Sequence, residues 1–577
     1  MEWRQDACRA QNVPKTEFVF GIFCMYPRGV DPDRTTWVPY AYKGRLLWCE
    51  GKRTSRERTK HKGGAGKILD RNGNVLAGNV SVSTISVIHS QVKEPEKVIS
   101  VLSKELDIKE AEIRKKVEKN SSREKIKSNV EKEISDRIRA YKLAGVTVDE
   151  DYKRYYEYGT LASKVLGFTG GDNQGIVGLE VSYESLLKGL DGSILTMATA
   201  GGVEIRNGAE DRKEPIAGWD LTTTLDLNVM EYATQVANKL LEQKQAKTVE
   251  IIIMNPQNGE IYAMVNAPEF DLNHPYTLVN EKEGMSEKEK MTALNAMWRN
   301  LAVSDTYEPG STFKVVTAAA ALDKGVVKMT DTFLCPGYKV VEDRRIRCHK
   351  TTGHGAETFE QGIMNSCNPV FMEVGARVGV AGLFEGMKKF GILEKTGIDV
   401  PGEAATIMHK QENVGAVELA TMSFGQSFQL SPIRMLTSVC MIINGGKKIT
   451  PHFGMYAVNS DKTRMKKMSY SSGKKVLDAS ISEEVRKALE KVVSEGGGKK
   501  AGVEGYFIGG KTGTSQKLPR GNGKYIASCI GFSPVDNPSV IAMVRIDEPQ
   551  GLYYGGVIAA PAISTLYTNI LPYLLKE

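Results

Sequence analysis

Tyr307-Glu308-Pro309-Gly310-Ser311-Thr312-Phe313-Lys314 is the most chemically loaded stretch of this chain. Pro309 and Gly310 stop whatever element precedes them. An apolar, Ala-rich helix then runs through Val315-Val316-Thr317-Ala318-Ala319-Ala320-Ala321. Ser311 and Lys314 stand three residues apart at a helix start, so they share one face. A serine hydroxyl is a poor nucleophile unless a base is held beside it. A lysine becomes that base when burial or neighbouring cations lower its pKa. The helix N-terminus favours developing negative charge. Alone, the pattern reads equally as a Ser cap followed by a solvated Lys.

Two later triplets change its weight. Ser366-Cys367-Asn368 offers a hydroxyl to relay a proton and an amide to orient a substrate amide. Lys511-Thr512-Gly513-Thr514 ends a strand-like run, where Lys511 and the Thr hydroxyls suit a carboxylate. A Gly on an edge strand lets a substrate backbone approach and pair. S-x-x-K, S-x-N and K-T-G in this order, with 55 and then 145 residues between their first members, form the triple signature of serine penicillin-recognising enzymes.

On these motifs the chain resembles a class B penicillin-binding protein, a monofunctional peptidoglycan D,D-transpeptidase. The resemblance runs from about Gly66 to the C-terminus. It is carried also by Asp70-Arg71-Asn72-Gly73, Gly178-Leu179-Glu180, Thr224-Leu225-Asp226, Gly353-His354-Gly355, Ser423-Phe424-Gly425-Gln426 and Tyr553-Tyr554-Gly555-Gly556. It implies that Ser311 attacks the penultimate D-Ala carbonyl of a stem peptide and that Lys314 takes the Ser311 proton. Ser366 and Lys511 lie in the proton path and Asn368 orients the peptide. Thr512, Gly513 and Thr514 bind substrate, the Thr residues receiving its carboxylate. The N–H groups of Ser311 and Thr514 form the oxyanion hole. The implied partners are D-Ala-D-Ala stem peptides, β-lactam antibiotics, and glycan-polymerising and divisome or elongation membrane proteins. No nucleic acid, cofactor or metal is implied.

The rival readings share these motifs: a D,D-carboxypeptidase, a β-lactamase, a β-lactam sensor, or a non-catalytic scaffold of a wall-synthesis complex. The length and the extra N-terminal domain favour the transpeptidase. Septal division, elongation and spore-cortex synthesis use closely similar enzymes. The Lys-rich 92–140 segment and the position of Cys367 lean towards a division or sporulation type.

Outward from the motifs, the pattern predicts an α+β chain. Apolar runs 249–254 and 260–265 flank Asn255-Pro256-Gln257-Asn258-Gly259 as a hairpin. Three strand-like runs, 506–514, 526–532 and 539–546, lie near the C-terminus. One antiparallel five-stranded sheet flanked by helices accounts for both groups, with helical pattern over 311–445 and a last helix over 561–575. An elongated α+β pedestal or dimerisation domain precedes it. That domain has a strand-turn-strand at 67–77, two or three amphipathic helices in 92–140, and a Gly- and Tyr-rich part to about 215. The expected divisions are 1–62 (an atypical basic segment), 63–215 (the pedestal), 216–247 (a connector with a helix at 227–246) and 248–577 (the transpeptidase domain).

Two coincidences need a physical answer. Gly505-Tyr506-Phe507-Ile508-Gly509-Gly510-Lys511-Thr512 fits the phosphate-binding P-loop pattern, which requires a helix directly after it. Gly513, Pro519 and Gly521 follow instead, so no helix is expected there. Cys335, Cys348, His349, His354 and Cys367 invite a metal reading, but their linear spacing matches no compact zinc motif. A small buried Cys, or a disulfide from Cys348 or Cys335 to Cys367 that distorts the site, are the readings kept open.

The 577 residues carry 77 Lys+Arg against 69 Asp+Glu, a formal +8, with 41% hydrophobic and 25% charged residues. This excludes a wholly disordered, collagenous or multi-span membrane chain. Residues 1–62 hold 13 Lys/Arg and 7 Asp/Glu, so most of the excess sits there. The longest clean apolar run in that segment, 18–26, is too short to span a bilayer. The family implies a membrane anchor with the catalytic domain outside the cell membrane. The foreign composition of 1–62 suggests that a wrong start, a frameshift or a divergent end has replaced that anchor, which resequencing of the 5′ end tests.

Overall fold

The computed structural model describes residues 38–42, 45–49, 54–61, 63–120, 123–171, 173–199 and 211–575. The predicted basic segment 1–62 therefore lies outside the described residues, apart from the strands Val38–Tyr42, Arg45–Cys49 and Thr54–His61.

The C-terminal sheet has the strand order Ile261–Ala267, Thr248–Met254, Val540–Asp547, Tyr525–Ser533, Gly509–Gln516, antiparallel throughout. The first hairpin thus sits beside the chain's last strand, and the domain closes on itself as the pattern predicts. Every residue of Ile261–Ala267 and Val540–Asp547 is buried, so both faces are covered. The helix Leu227–Gln243 is capped by Asp226, whose Oδ1 accepts from the N–H groups of Asn228 (3.1 Å) and Val229 (3.2 Å). Its Val229, Met230, Ala233, Ala237 and Leu240 turn inward at helical spacing. Gly509–Gln516 is the sheet's edge, with Lys511 inside the strand and no helix after it, which removes the P-loop reading.

The segment Gly555–Leu574 is long and apolar enough to cross a membrane by length and composition. Its inner face belongs to the core: Ile563, Leu566, Tyr567, Ile570 and Leu571 are fully buried, and Tyr567 donates to the Gly531 carbonyl.

The pedestal departs from expectation in two ways. The 92–140 segment holds helices Pro95–Leu106, Glu110–Val117 and Lys132–Ala140, but also an unpredicted strand, Glu124–Glu131. Its alternating burial places Ile126 and Val130 in a second core separate from the main one. Further, the pedestal sheet recruits Gly454–Val458 and Met465–Lys467 from far along the chain, through Asp220–Thr223. Polar ties reinforce the junction. Asp70 folds its own turn, accepting from Asn72 and Asn74 N–H groups at 2.8 Å each, and Asn72 Nδ2 reaches Asp226 Oδ2 at 3.1 Å. Glu180 is buried against Arg154 Nε at 2.6 Å. Asp399 accepts from Tyr183 (2.5 Å), Tyr470 (3.0 Å) and the Gly454 N–H (2.8 Å).

The middle of the C-terminal region is less helical than its pattern. Two small hairpins interrupt it, Thr332–Cys335 with Gly355–Thr358 and Tyr338–Val341 with Arg344–Arg347.

Candidate active site

Ser311 lies in a 3-10 turn, Gly310–Phe313, that runs directly into the helix Lys314–Asp323. The turn is held chiefly by the 425–428 segment. The Gly310 N–H donates to Gly425 O at 2.8 Å. A side chain at Gly425 would lie 2.1 Å from Gly310 O, so the Ser423-Phe424-Gly425-Gln426 stretch earns its glycine by close approach. Phe313 packs edge-on to Phe428 at 4.7 Å. Glu308, beside the turn, is buried and accepts from the Ser427 N–H at 2.9 Å and from Arg520 at 2.6 Å. In the sequence Glu308 stands out only as part of the motif, and its proximity to the Pro-Gly break is the available signal.

Lys314 is fully buried, and its Nζ donates to Ser366 O (2.6 Å), Ser366 Oγ (3.2 Å) and Asn368 Oδ1 (2.8 Å). Ser366 adopts a left-handed backbone (φ +54°), a conformation a non-glycine residue holds only when its surroundings demand it. Asn368 opens the helix Asn368–Lys389, and its Nδ2 donates to Arg347 O at 3.2 Å. Lys511 Nζ reaches the same Ser366 Oγ at 2.9 Å. Burial pushes the Lys314 ammonium down to about 8. Lys511 is also pushed well below its ordinary value, by burial and then by the charge of Lys314. One hydroxyl thus bridges two desolvated amines, an arrangement able to take up and pass on a proton at near-neutral pH.

Strand alternation divides the third motif. Lys511 and Gly513 turn to the buried side, Thr512 and Thr514 to the partly open one. Thr514 Oγ1 accepts from the Gly555 N–H at 3.0 Å. Gly513 has a packing role besides the expected one. A side chain there would meet Ser528 Oγ at 2.6 Å, Thr312 Cγ2 at 3.1 Å and Pro309 O at 3.2 Å. This glycine makes room for the Ser311 turn, and the open strand edge is what remains for a substrate backbone. The same packing puts Gly310 against Thr514 O, so the backbones of Ser311 and Thr514 are close neighbours. Tyr553 stacks on Tyr525 at 3.8 Å along the rim.

The structure therefore brings the three motifs together: Ser311 and Lys314 from a helix start, Ser366 and Asn368 from a turn, Lys511 to Thr514 from the edge strand. It also brings Cys335, Cys348, His354 and Cys367 together beside them, with ligand atoms all within 4.8 Å of one another. The thiols are unbridged. The Cys348 thiol is pushed below its ordinary value chiefly by its hydrogen bond with Cys367, and the same contact pushes Cys367 up.

Two family models match the chain: penicillin binding protein transpeptidase domain over residues 249–568 and penicillin-binding protein dimerisation domain over 61–223. The chain is 39% identical over 518 residues to stage V sporulation protein D of Bacillus subtilis (strain 168), covering 88% of this chain and 78% of the relative. It is 28% identical over 555 residues to peptidoglycan D,D-transpeptidase FtsI of Buchnera aphidicola subsp. Baizongia pistaciae, covering 93% and 92%. Among solved structures, penicillin binding protein 2X from Streptococcus thermophilus superposes with a TM-score of 0.72 at 22% identity, over 90% of this chain and 80% of that one, a likeness of fold.

Proposed function

The chain belongs to the penicillin-binding proteins and is a peptidoglycan D,D-transpeptidase of cell-wall crosslinking, and from that premise we propose that Ser311, Lys314, Ser366, Asn368 and Lys511 carry the reaction, with Thr512, Gly513 and Thr514 holding substrate. The observation that supports this most is the placement of Ser366 Oγ between Lys314 Nζ (3.2 Å) and Lys511 Nζ (2.9 Å).

In this reading a stem peptide lies along the open edge of Gly509–Gln516 with its terminal carboxylate at Thr512 and Thr514. Ser311 Oγ attacks the carbonyl carbon of the penultimate D-Ala while its proton passes to neutral Lys314 Nζ. The developing oxyanion is met by the Ser311 and Thr514 N–H groups. The C–N bond then breaks, and the proton returns through Ser366 Oγ to the departing amine of the terminal D-Ala. An ester on Ser311 remains. The amine of a second stem peptide attacks that ester, gives its proton to Lys314, and the proton restores the Ser311 hydroxyl as the new peptide bond forms. A β-lactam enters the first half and stalls as the ester.

The finer assignment is to division or sporulation, with glycan-polymerising partners at the cell membrane and the catalytic domain on its outer side. Its support is the relative named for stage V of sporulation and the family's place in wall synthesis. Incubating the chain with a D-Ala-D-Ala donor peptide and an amine acceptor tests the chemistry. Release of D-Ala with formation of the acceptor adduct supports it; D-Ala release with only hydrolysed donor makes the chain a carboxypeptidase.

A further inference from the structure

Cys335, Cys348, His354 and Cys367 take no part in the reaction above, yet their ligand atoms converge on one point. We propose that these four residues bind a divalent cation of the zinc class in a closed tetrahedral site, which fastens the Ser366-Cys367-Asn368 turn to the hairpins beside it. The inference goes beyond the assigned activity and does not depend on the role of Ser311.

The donor set is the first argument. Three thiolates and one imidazole suit zinc and leave no position open for substrate, the pattern of a structural site. A tetrahedron with Zn–S near 2.3 Å and Zn–N near 2.0–2.1 Å has ligand-to-ligand edges of roughly 3.6–3.8 Å. Cys348 Sγ and His354 Nδ1 stand 3.7 Å apart, and all four ligand atoms fall within 4.8 Å. The small further contraction needed lies within side-chain rotation.

The second argument is how the chain builds the cluster. Cys335 ends the strand Thr332–Cys335 and pairs with Gly355. Cys348 follows Arg344–Arg347, its N–H bonded to Gly337 O at 2.8 Å. His354 sits between Gly353 and Gly355, both at positive φ (84° and 77°), so the backbone turns sharply on each side of it. Cys367 precedes the helix Asn368–Lys389. Four separate backbone segments thus deliver one ligand each, a convergence that packing of small apolar residues does not require.

The third argument is charge in a dry place. Cys335, Cys348 and Cys367 are 0%, 2% and 0% exposed. His349 also approaches Cys348 Sγ, at 3.8 Å, but is exposed, which leaves His354, its side chain 8% exposed, as the better covered imidazole. Glu357 is buried next to the cluster, its Oε1 without a hydrogen-bond partner and 3.8 Å from His354 Nδ1. Its Oε2 accepts from Asn365 Nδ2 at 3.0 Å. Unpaired buried polar atoms of this kind mark a polar pocket inside the fold. A bound dication offsets two of the three thiolate charges that binding creates, and the thiol protons are released to solvent.

The consequence is local. Cys367 lies between Ser366 and Asn368, the two residues whose oxygens hold Lys314 Nζ. An ion on Cys367 pins that turn in its left-handed conformation.

The test uses the full chain, purified under reducing conditions, loaded with zinc salt and desalted. Elemental analysis should find about one zinc per chain. The single variants Cys335→Ser and His354→Ala should each retain less than about a tenth of it, whereas Cys440→Ser, at a buried cysteine outside the cluster, should retain it fully. Loading the unmodified chain with cobalt(II) instead should give thiolate-to-cobalt charge-transfer absorption and the intense visible bands of a tetrahedral ion, which needs no variant to fold. Sub-stoichiometric metal in the unmodified chain, equal retention in Cys335→Ser, or an octahedral cobalt spectrum overturns the proposal. So does a non-reducing peptide map that finds two of the three thiols joined as a disulfide in freshly isolated protein.

Discussion

Lys511 Nζ donates to Ser366 Oγ at 2.9 Å across 145 residues of chain. That bond joins the edge strand to the turn that also holds Lys314, and it makes the hydroxyl of Ser366 common to two buried amines. If this is the proton path, the two lysines differ in what they must do. Lys314→Arg keeps a positive charge but cannot lose a proton, so it should lower the acylation rate by about 10²–10⁴-fold, as much as Lys314→Ala. Lys511→Arg keeps a donor near Ser366 and should lose less than Lys511→Ala. Stopped-flow acylation by a chromogenic cephalosporin reads both comparisons; an active Lys314→Arg enzyme excludes Lys314 as the base.

The pH dependence follows from the same burial. Lys314 takes a proton only when neutral, and burial brings its ammonium down to about 8. Cys367, Cys348 and Glu357 oppose that shift, and Lys511 stands across Ser366. A base with a lowered pKa is increasingly competent as pH rises, so the second-order acylation rate should climb through about pH 8 and level off above it. A rate that is flat from pH 6 to 9 contradicts this assignment.

Gly513 separates the Ser311 turn from the sheet. In Gly513→Ala the new methyl lies 2.6 Å from Ser528 Oγ and 3.2 Å from Pro309 O. The backbone oxygen cannot swing away, so the turn carrying Ser311 must shift. Overpacking of this kind costs about 1–3 kcal/mol, and acylation should fall with it. Ser528→Ala alongside Gly513→Ala should restore only part of the loss, because the Pro309 contact remains. A fully active Gly513→Ala enzyme would show that the turn has slack.

The C-terminal helix separates core from membrane. Leu566 is 0% exposed in Ala560–Leu574. Leu566→Ala should destabilise the domain by about 2–5 kcal/mol in a thermal or denaturant unfolding series. A change below 0.5 kcal/mol, roughly the scatter of surface substitutions, would mean that this face does not pack on the sheet.

Much of the catalytic layout could be read from the residues because its motifs are local. Ser311 and Lys314 share a helix turn, and the flanking strands are long apolar runs such as Thr248–Met254 and Val540–Asp547. What escaped reading depends on distant pairing. Arg344–Arg347 is four residues with three arginines and carries no strand periodicity; it is a strand because Tyr338–Val341 lies opposite. Glu124–Glu131 alternates correctly, with Ile126 and Val130 inward, but sits among Lys- and Glu-rich helices that mask a period of two. The cysteine cluster escaped for the same reason. Linear spacing separates Cys335 from His354, and the pairing of Thr332–Cys335 with Gly355–Thr358 is what brings them together.

The most direct test of the central claim is to acylate the chain with a fluorescent penicillin, digest it and locate the adduct by mass spectrometry. The account predicts one stoichiometric ester on Ser311, lost in Ser311→Ala and sharply reduced in Lys314→Ala. An adduct on any other residue, or none on a folded chain, would contradict it.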